Sequence, residues 1–155
     1  MTSSHHHDAA AAQQLAEETV RAMWPKDAAS KLLGVRFVAI RPGYAMLEMT
    51  VRPDMVNGHR LCHGGLIFTL ADSAFAYACN SYDKNTVASA CHIDFLAPAQ
   101  IGDTLVAEAV EQSLAGRTGV YDITVRNQAG KAIALFRGKS YRINGEVIAG
   151  LQQNE

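Results

Sequence analysis

Residues 57–82 read NGHRLCHGGLIFTLADSAFAYACNSY, an apolar run that opens on His63-Gly64-Gly65 and carries one carboxylate, Asp72, in its middle. Burying that carboxylate unpaired would cost several kcal/mol, so it either has a structural partner or works as a base or nucleophile. Ser73, Ser89 or a backbone amide are the structural partners to weigh. At the front of the run, two glycines allow close approach of a ligand to the backbone. The first turn of the helix would offer unpaired N–H groups and the positive end of its dipole, which suits an oxyanion. Taken alone, the glycine pair is better explained as the bend before a helix, by roughly two to one.

Asp72 lies eight residues beyond Gly64, a rise of about 12 Å at ~1.5 Å per residue. One helix cannot bring both groups to one carbonyl, because proton transfer or attack needs approach to roughly 3 Å. If both serve one substrate, Asp72 must come from a second copy of the chain, with two helices antiparallel about a two-fold axis.

The remaining candidates are weaker. His59, Cys62 and His63 cluster in a loop, but no CxxC or HExxH accompanies them, so a metal site is not expected. Cys62 beside His63 does not make a thiolate pair, since adjacent side chains rarely face each other, and Cys91 and His92 would point to opposite faces of a strand. Cys79 and Cys91 read as core residues. Arg137 and Lys139 share one strand face, Arg142 takes the other, and Arg117 sits in a turn. Any of these cations could meet phosphates or simply be solvated. There is no GxxxxGK[ST] or GxGxxG and hence no support for a nucleoside-triphosphate or dinucleotide fold.

The positioning elements follow from pattern. Leu15, Thr19, Val20, Met23 and Trp24 recur at helical spacing and Pro25 stops the run, giving an N-terminal helix within 13–27. Residues 1–12, rich in alanine and carrying His5, His6 and His7, read as a disordered lead-in. VRFVAI and YAMLEMTV flank Arg41-Pro42-Gly43 as a hairpin. The segment from Gly64 to about Tyr82 is apolar on most faces, a helix surrounded by protein. Four strands follow, with short turns that argue for antiparallel neighbours. One helix and about six strands make an α+β domain in which a curved antiparallel sheet wraps one long helix.

The chain has 155 residues with 48% hydrophobic content, enough for one core spanning 28–145, with 146–155 as a tail. Its net charge of −1, from 14 basic and 15 acidic residues, gives no general attraction to nucleic acid or to an anionic membrane. No stretch has the roughly 18–20 apolar residues of a membrane span, and the N-terminus lacks signal-peptide regions. Three cysteines at irregular spacing read as thiols. A cytoplasmic location is expected.

The stretches NGHRLCHGGLIFTLADSAFAYACNS, ASACHIDFLAPA, GDTL, TGVYDI and ALFRGKS, in that order and spacing, resemble the hotdog-fold acyl-CoA thioesterases, most closely those of phenylacetic acid degradation. The resemblance covers about Ala28 to Gly145. It implies a hotdog fold, homodimers that pair into tetramers, and cofactor-free, metal-free hydrolysis of an acyl-CoA of the (hydroxy)phenylacetyl type. It further implies that the Gly64 amide polarises the carbonyl and that Asp72 is nucleophile or general base. Asn57 and His63 match the loop residues that organise the site in that family; Gly65, Ser89, Arg117, Arg137 and Lys139 are candidate substrate or CoA contacts by their own type and position. Several aryl-CoA relatives carry a hydroxyl one turn after the acid; here that position is Ala76. A noncatalytic acyl-CoA-binding protein and a short- or medium-chain thioesterase are the alternatives.

Overall fold

The computed structural model describes residues 3–152; the side chains of residues 3–6, His5 and His6 included, lie outside that description, as do residues 1–2 and 153–155. Its elements in chain order are α1 (Ser3–Met23), α2 (Ala28–Leu32), β1 (Arg36–Arg41), β2 (Tyr44–Thr50), α3 (Gly64–Asn80), β3 (Thr86–Phe95), β4 (Thr104–Ala115), β5 (Thr118–Arg126), β6 (Ala132–Arg142) and α4 (Val147–Gln152). The six strands form one sheet in the order β1-β2-β4-β5-β6-β3, and every neighbouring pair is antiparallel.

Alternation along the strands sends Leu47 and Met49, Leu105, Ile123 and Val125, and Phe136 to the inner face. There they meet Leu70, Ala71, Ala74, Phe75 and Ala78 of α3 in one core. Each large side chain buried this way contributes about 1.5–3 kcal/mol. Small residues on α3 let the sheet curl close to it. On the sheet side the same demand falls on Gly138, where a Cβ would lie 2.7 Å from the Phe75 ring.

β3 does not share this burial. It is an edge strand paired only to β6, and from Val87 to Phe95 its residues are exposed except Ile93, which is half-buried. Cys91, expected in the core, is exposed, because alternation buries a residue only where another layer covers it.

The N-terminal helix is longer than its apolar periodicity suggests. Residues 3–12, expected as a disordered lead-in, are the first turns of α1, consistent with the high helix propensity of Ala9–Ala12. A 3-10 turn at Trp24–Lys26 containing Pro25 ends α1, and Asp27 then caps the short α2 by accepting the Ser30 N–H at 3.0 Å. Edge-on ring contacts of Phe37 with Trp24 and with Tyr77, at 5.3 and 4.7 Å, tie this segment to β1 and α3. The expected tail contains α4, held by the Ile148 N–H donating to Asp83 Oδ1 at 2.8 Å and by Lys26 Nζ donating to the Leu151 carbonyl at 2.6 Å.

Candidate active site

The loop before α3 is organised by Asn57. Its Oδ1 accepts the His59 and Leu61 amides at 2.9 and 3.3 Å, and Arg60 takes a positive φ of 60°. His63 and Cys62 are then pinned through their amides to the Met55 and Ala99 carbonyls at 2.8 and 2.9 Å. His63 is the N-cap of α3: its Nδ1 accepts the Gly65 N–H at 2.9 Å, while its carbonyl accepts the Leu66 and Ile67 amides. Of the four amides in the first turn, Gly64 N–H alone makes no hydrogen bond among the described residues. Gly64 lines a groove of about 430 Å³ together with Asn57, Leu61, Ile67, Phe95 and Pro98 among others. The Phe95 ring lies so close that a Cβ on residue 64 would sit 3.0 Å from it. An unpaired amide at the positive end of a 17-residue helix is an oxyanion donor.

Asp72 sits on a partly open seam of α3 with Gly65, Thr69, Ser73 and Ala76, of which Gly65 is exposed and the others are half-buried. The carboxylate is half-buried, and its one hydrogen bond among the described residues comes from the Cys91 thiol at 3.9 Å, a weak contact. Burial raises its pKa above the ordinary carboxylate value, and the thiol opposes that rise. The hydroxyls considered as its partners are engaged elsewhere: Ser73 donates to the Thr69 carbonyl at 2.8 Å and Ser89 to the Lys139 carbonyl at 3.0 Å. Asp72 faces a second groove of about 400 Å³, bounded by α3 on one side and by Met23, Ala29 and Leu151 on the other.

The two grooves share no lining residue. Since α3 is unbroken from Gly64 to Asn80, the groups stay about 12 Å apart along the axis. One chain therefore does not bring Gly64 and Asp72 together. Asn57, His63 and Gly64 do assemble at the helix start, with Gly65 committed to the His63 cap.

The cations divide. Arg137 forms a two-pronged pair with Asp122, at 2.6 and 2.7 Å, which holds the Asp122 carboxyl below its usual range. Arg117 donates to the Arg142 carbonyl and to Asn144 Oδ1 at 3.1 and 3.0 Å, bracing the end of β6. Lys139 is exposed and makes no such bond through its side chain among the described residues. Burial pushes the Cys62 thiol to about 11 and the Cys79 thiol to about 12, so both stay protonated near neutral pH.

Sequence reasoning missed the Cys91 thiol at Asp72 and the walls supplied by α1, α2 and α4. Period-2 alternation was the available signal for the first, since Cys91 falls on the face opposite His92, which pairs outward with Asp94 at 3.2 Å. No local signal existed for the walls, which are brought in by contacts such as Lys26 to Leu151.

The thioesterase superfamily pattern matches residues 59–134. The chain is 52% identical over 132 residues to the acyl-coenzyme A thioesterase PaaI of Escherichia coli K12, covering 85% of this chain and 94% of that protein. The solved structure of the E. coli PaaI protein, from the phenylacetic acid degradation operon, superposes with a TM-score of 0.85 at 51% identity, over 86% of this chain and 97% of that one. A Streptococcus mutans protein solved with bound acetyl CoA superposes at 0.70 with 25% identity, over 72% of this chain and 90% of that one. The chain belongs to the thioesterase superfamily, with the hotdog fold, and is a thioester hydrolase.

Proposed function

We propose that this thioesterase hydrolyses acyl-CoA thioesters of the arylacetyl type in a site composed by two copies of the chain. The observation that carries the site is the pairing of opposites on α3: among the described residues, one first-turn amide without an acceptor at Gly64 and one carboxylate without a cation at Asp72. The exposed edge of β3 and the half-buried α3 seam supply an interface on which a second copy can lie antiparallel. In that arrangement Gly64 of one copy and Asp72 of the other flank one thioester, and such dimers pair further.

The Gly64 N–H polarises the carbonyl from the Asn57 and His63 loop. Asp72, its proton affinity raised by burial, takes a proton from water as the water oxygen bonds to the carbonyl carbon. Negative charge on the tetrahedral oxygen is held by the Gly64 amide. Collapse breaks the C–S bond, the sulfur leaves with the proton from Asp72, and acid and CoA are released with the carboxylate restored. Exposed Lys139 is the contact proposed for CoA phosphate, while Arg137, Arg117 and Ser89 shape the strand around it.

The acyl class is supported by the 52% identity to PaaI and the operon of that relative, and CoA by the ligand of the S. mutans protein. The test is free-thiol release from a panel of phenylacetyl-, hydroxyphenylacetyl-, acetyl- and long-chain acyl-CoAs. Highest kcat/KM is expected for the arylacetyl members; preference for long chains would contradict this substrate class, and binding without thiol release would contradict the chemistry.

A further inference from the structure

The groove beside Asp72 has an unusual provenance. Its floor, Thr69, Asp72, Ser73 and Ala76, belongs to the family-matched segment, but its opposite wall is built from both ends of the chain, outside residues 59–134. Ala29 of α2 and Leu151 of α4 form that wall, locked by Lys26 Nζ on the Leu151 carbonyl at 2.6 Å.

The polar groups on this rim are already used. Tyr77 donates its hydroxyl to Asp27 Oδ2 at 2.9 Å. Ser30 donates to Ser73 at 3.2 Å, and Ser73 and Thr69 donate to backbone carbonyls one turn back at 2.8 Å each. Asp72 is thus the one polar group of the floor with only a weak thiol contact, in a slot whose other polar side chains, Lys26 and Asp27 included, are engaged with protein groups. At about 400 Å³ the slot falls within the ~300–1,000 Å³ of small-molecule pockets. Ala76, one turn beyond Asp72, keeps the floor low where a larger residue would divide it.

We propose that the acyl group of the substrate lies in this groove and that Ala29 and Leu151 are specificity-determining residues whose size sets which acyl groups fit. The inference rests on the reading of Asp72 as the reacting carboxylate. A compact aryl ring contacts the wall, whereas an acetyl group ends before reaching it. The terminal segments, rather than the shared core, then tune the acyl preference.

The experiment fills the groove from its two outer positions with Ala29→Trp and Leu151→Trp, and measures kcat/KM for phenylacetyl-CoA and acetyl-CoA side by side. Each substitution is expected to lower the phenylacetyl value at least about tenfold while the acetyl value stays within about twofold. Retained acetyl-CoA turnover also reports that the variant is folded with its site intact. The opposite change, Leu151→Ala, is expected to improve bulkier aryl substrates relative to phenylacetyl-CoA. Equal loss on both substrates with an unchanged Tm, or no loss on either, overturns the wall assignment while leaving the composite site standing. If the unmodified protein releases thiol from neither substrate, the proposed function fails and this inference fails with it.

Discussion

The Cys91 thiol on β3 and the Asp72 carboxylate on α3 face each other at 3.9 Å, and no other group of the described residues hydrogen-bonds to that carboxylate. Burial lifts the Asp72 pKa and this weak donor restrains the lift. If hydrolysis needs ionised Asp72, kcat/KM falls as pH drops through the raised value. Removing the donor in Cys91→Ala disfavours the ionised form further, so the acid limb should move to higher pH. Cys91→Ser, which keeps a donor, should move it less. A pH–rate profile of the three proteins checks this, and an unmoved limb in Cys91→Ala would separate the thiol from the chemistry.

The same carboxylate is a stability cost at neutral pH. A folded-state pKa above the unfolded value means that the protein is relatively more stable below the unfolded pKa, and that this stability is lost as pH rises through the folded value. Asp72→Asn is therefore expected to raise Tm near neutral pH, and the gain should vanish on acidification below the ordinary carboxylate range. Activity should fall by about 10²- to 10⁴-fold, the usual worth of a general base. Thermal melts at two pH values test the sign. A lower Tm for the variant at neutral pH would mean the carboxylate has a stabilising partner.

Much of the frame was legible because its signals are local. β1 and β2 flank a Pro-Gly turn, β5 alternates throughout while β4 does so up to Ala109 and β6 from Ala134 on, and the start of α3 is announced by His63-Gly64-Gly65. The first turns of α1 escaped notice because Ala9–Ala12 form helix by propensity without an apolar stripe. Cys91 was misplaced because composition does not distinguish a covered strand from an edge strand such as β3. Gly64 and Asp72 stand out from spacing and charge alone. The wall of the Asp72 groove does not, since Leu151 reaches it across 125 positions of sequence through Lys26.

Lys139 and Arg137 lie two residues apart on the same outer face but should differ in effect. Lys139→Ala is expected to raise KM for acyl-CoA several-fold with kcat little changed, and the effect should shrink with added salt. Arg137→Ala instead strips Asp122 of its two-pronged partner and is expected to cost stability without a salt-sensitive change in KM. Steady-state kinetics at two ionic strengths separates the two. A salt-dependent KM rise in Arg137→Ala alone would reverse the assignment.

The central claim is that Gly64 and Asp72 reach one thioester only from different chains. Gly64→Pro removes the amide in question at a first helical position whose backbone accepts proline, after His63 at φ −61° and ψ 129°, and Gly64→Ala, which keeps the amide but adds the same Cβ toward Phe95, is its control. The decisive measurement is thioester hydrolysis by a purified heterodimer of differently tagged Gly64→Pro and Asp72→Asn chains. Each homodimer is expected to be nearly inactive, whereas the heterodimer holds one site with both groups intact and should recover about half the unmodified rate per dimer. A heterodimer as inactive as its parents would contradict the composite site and return Asp72 to a role within a single chain.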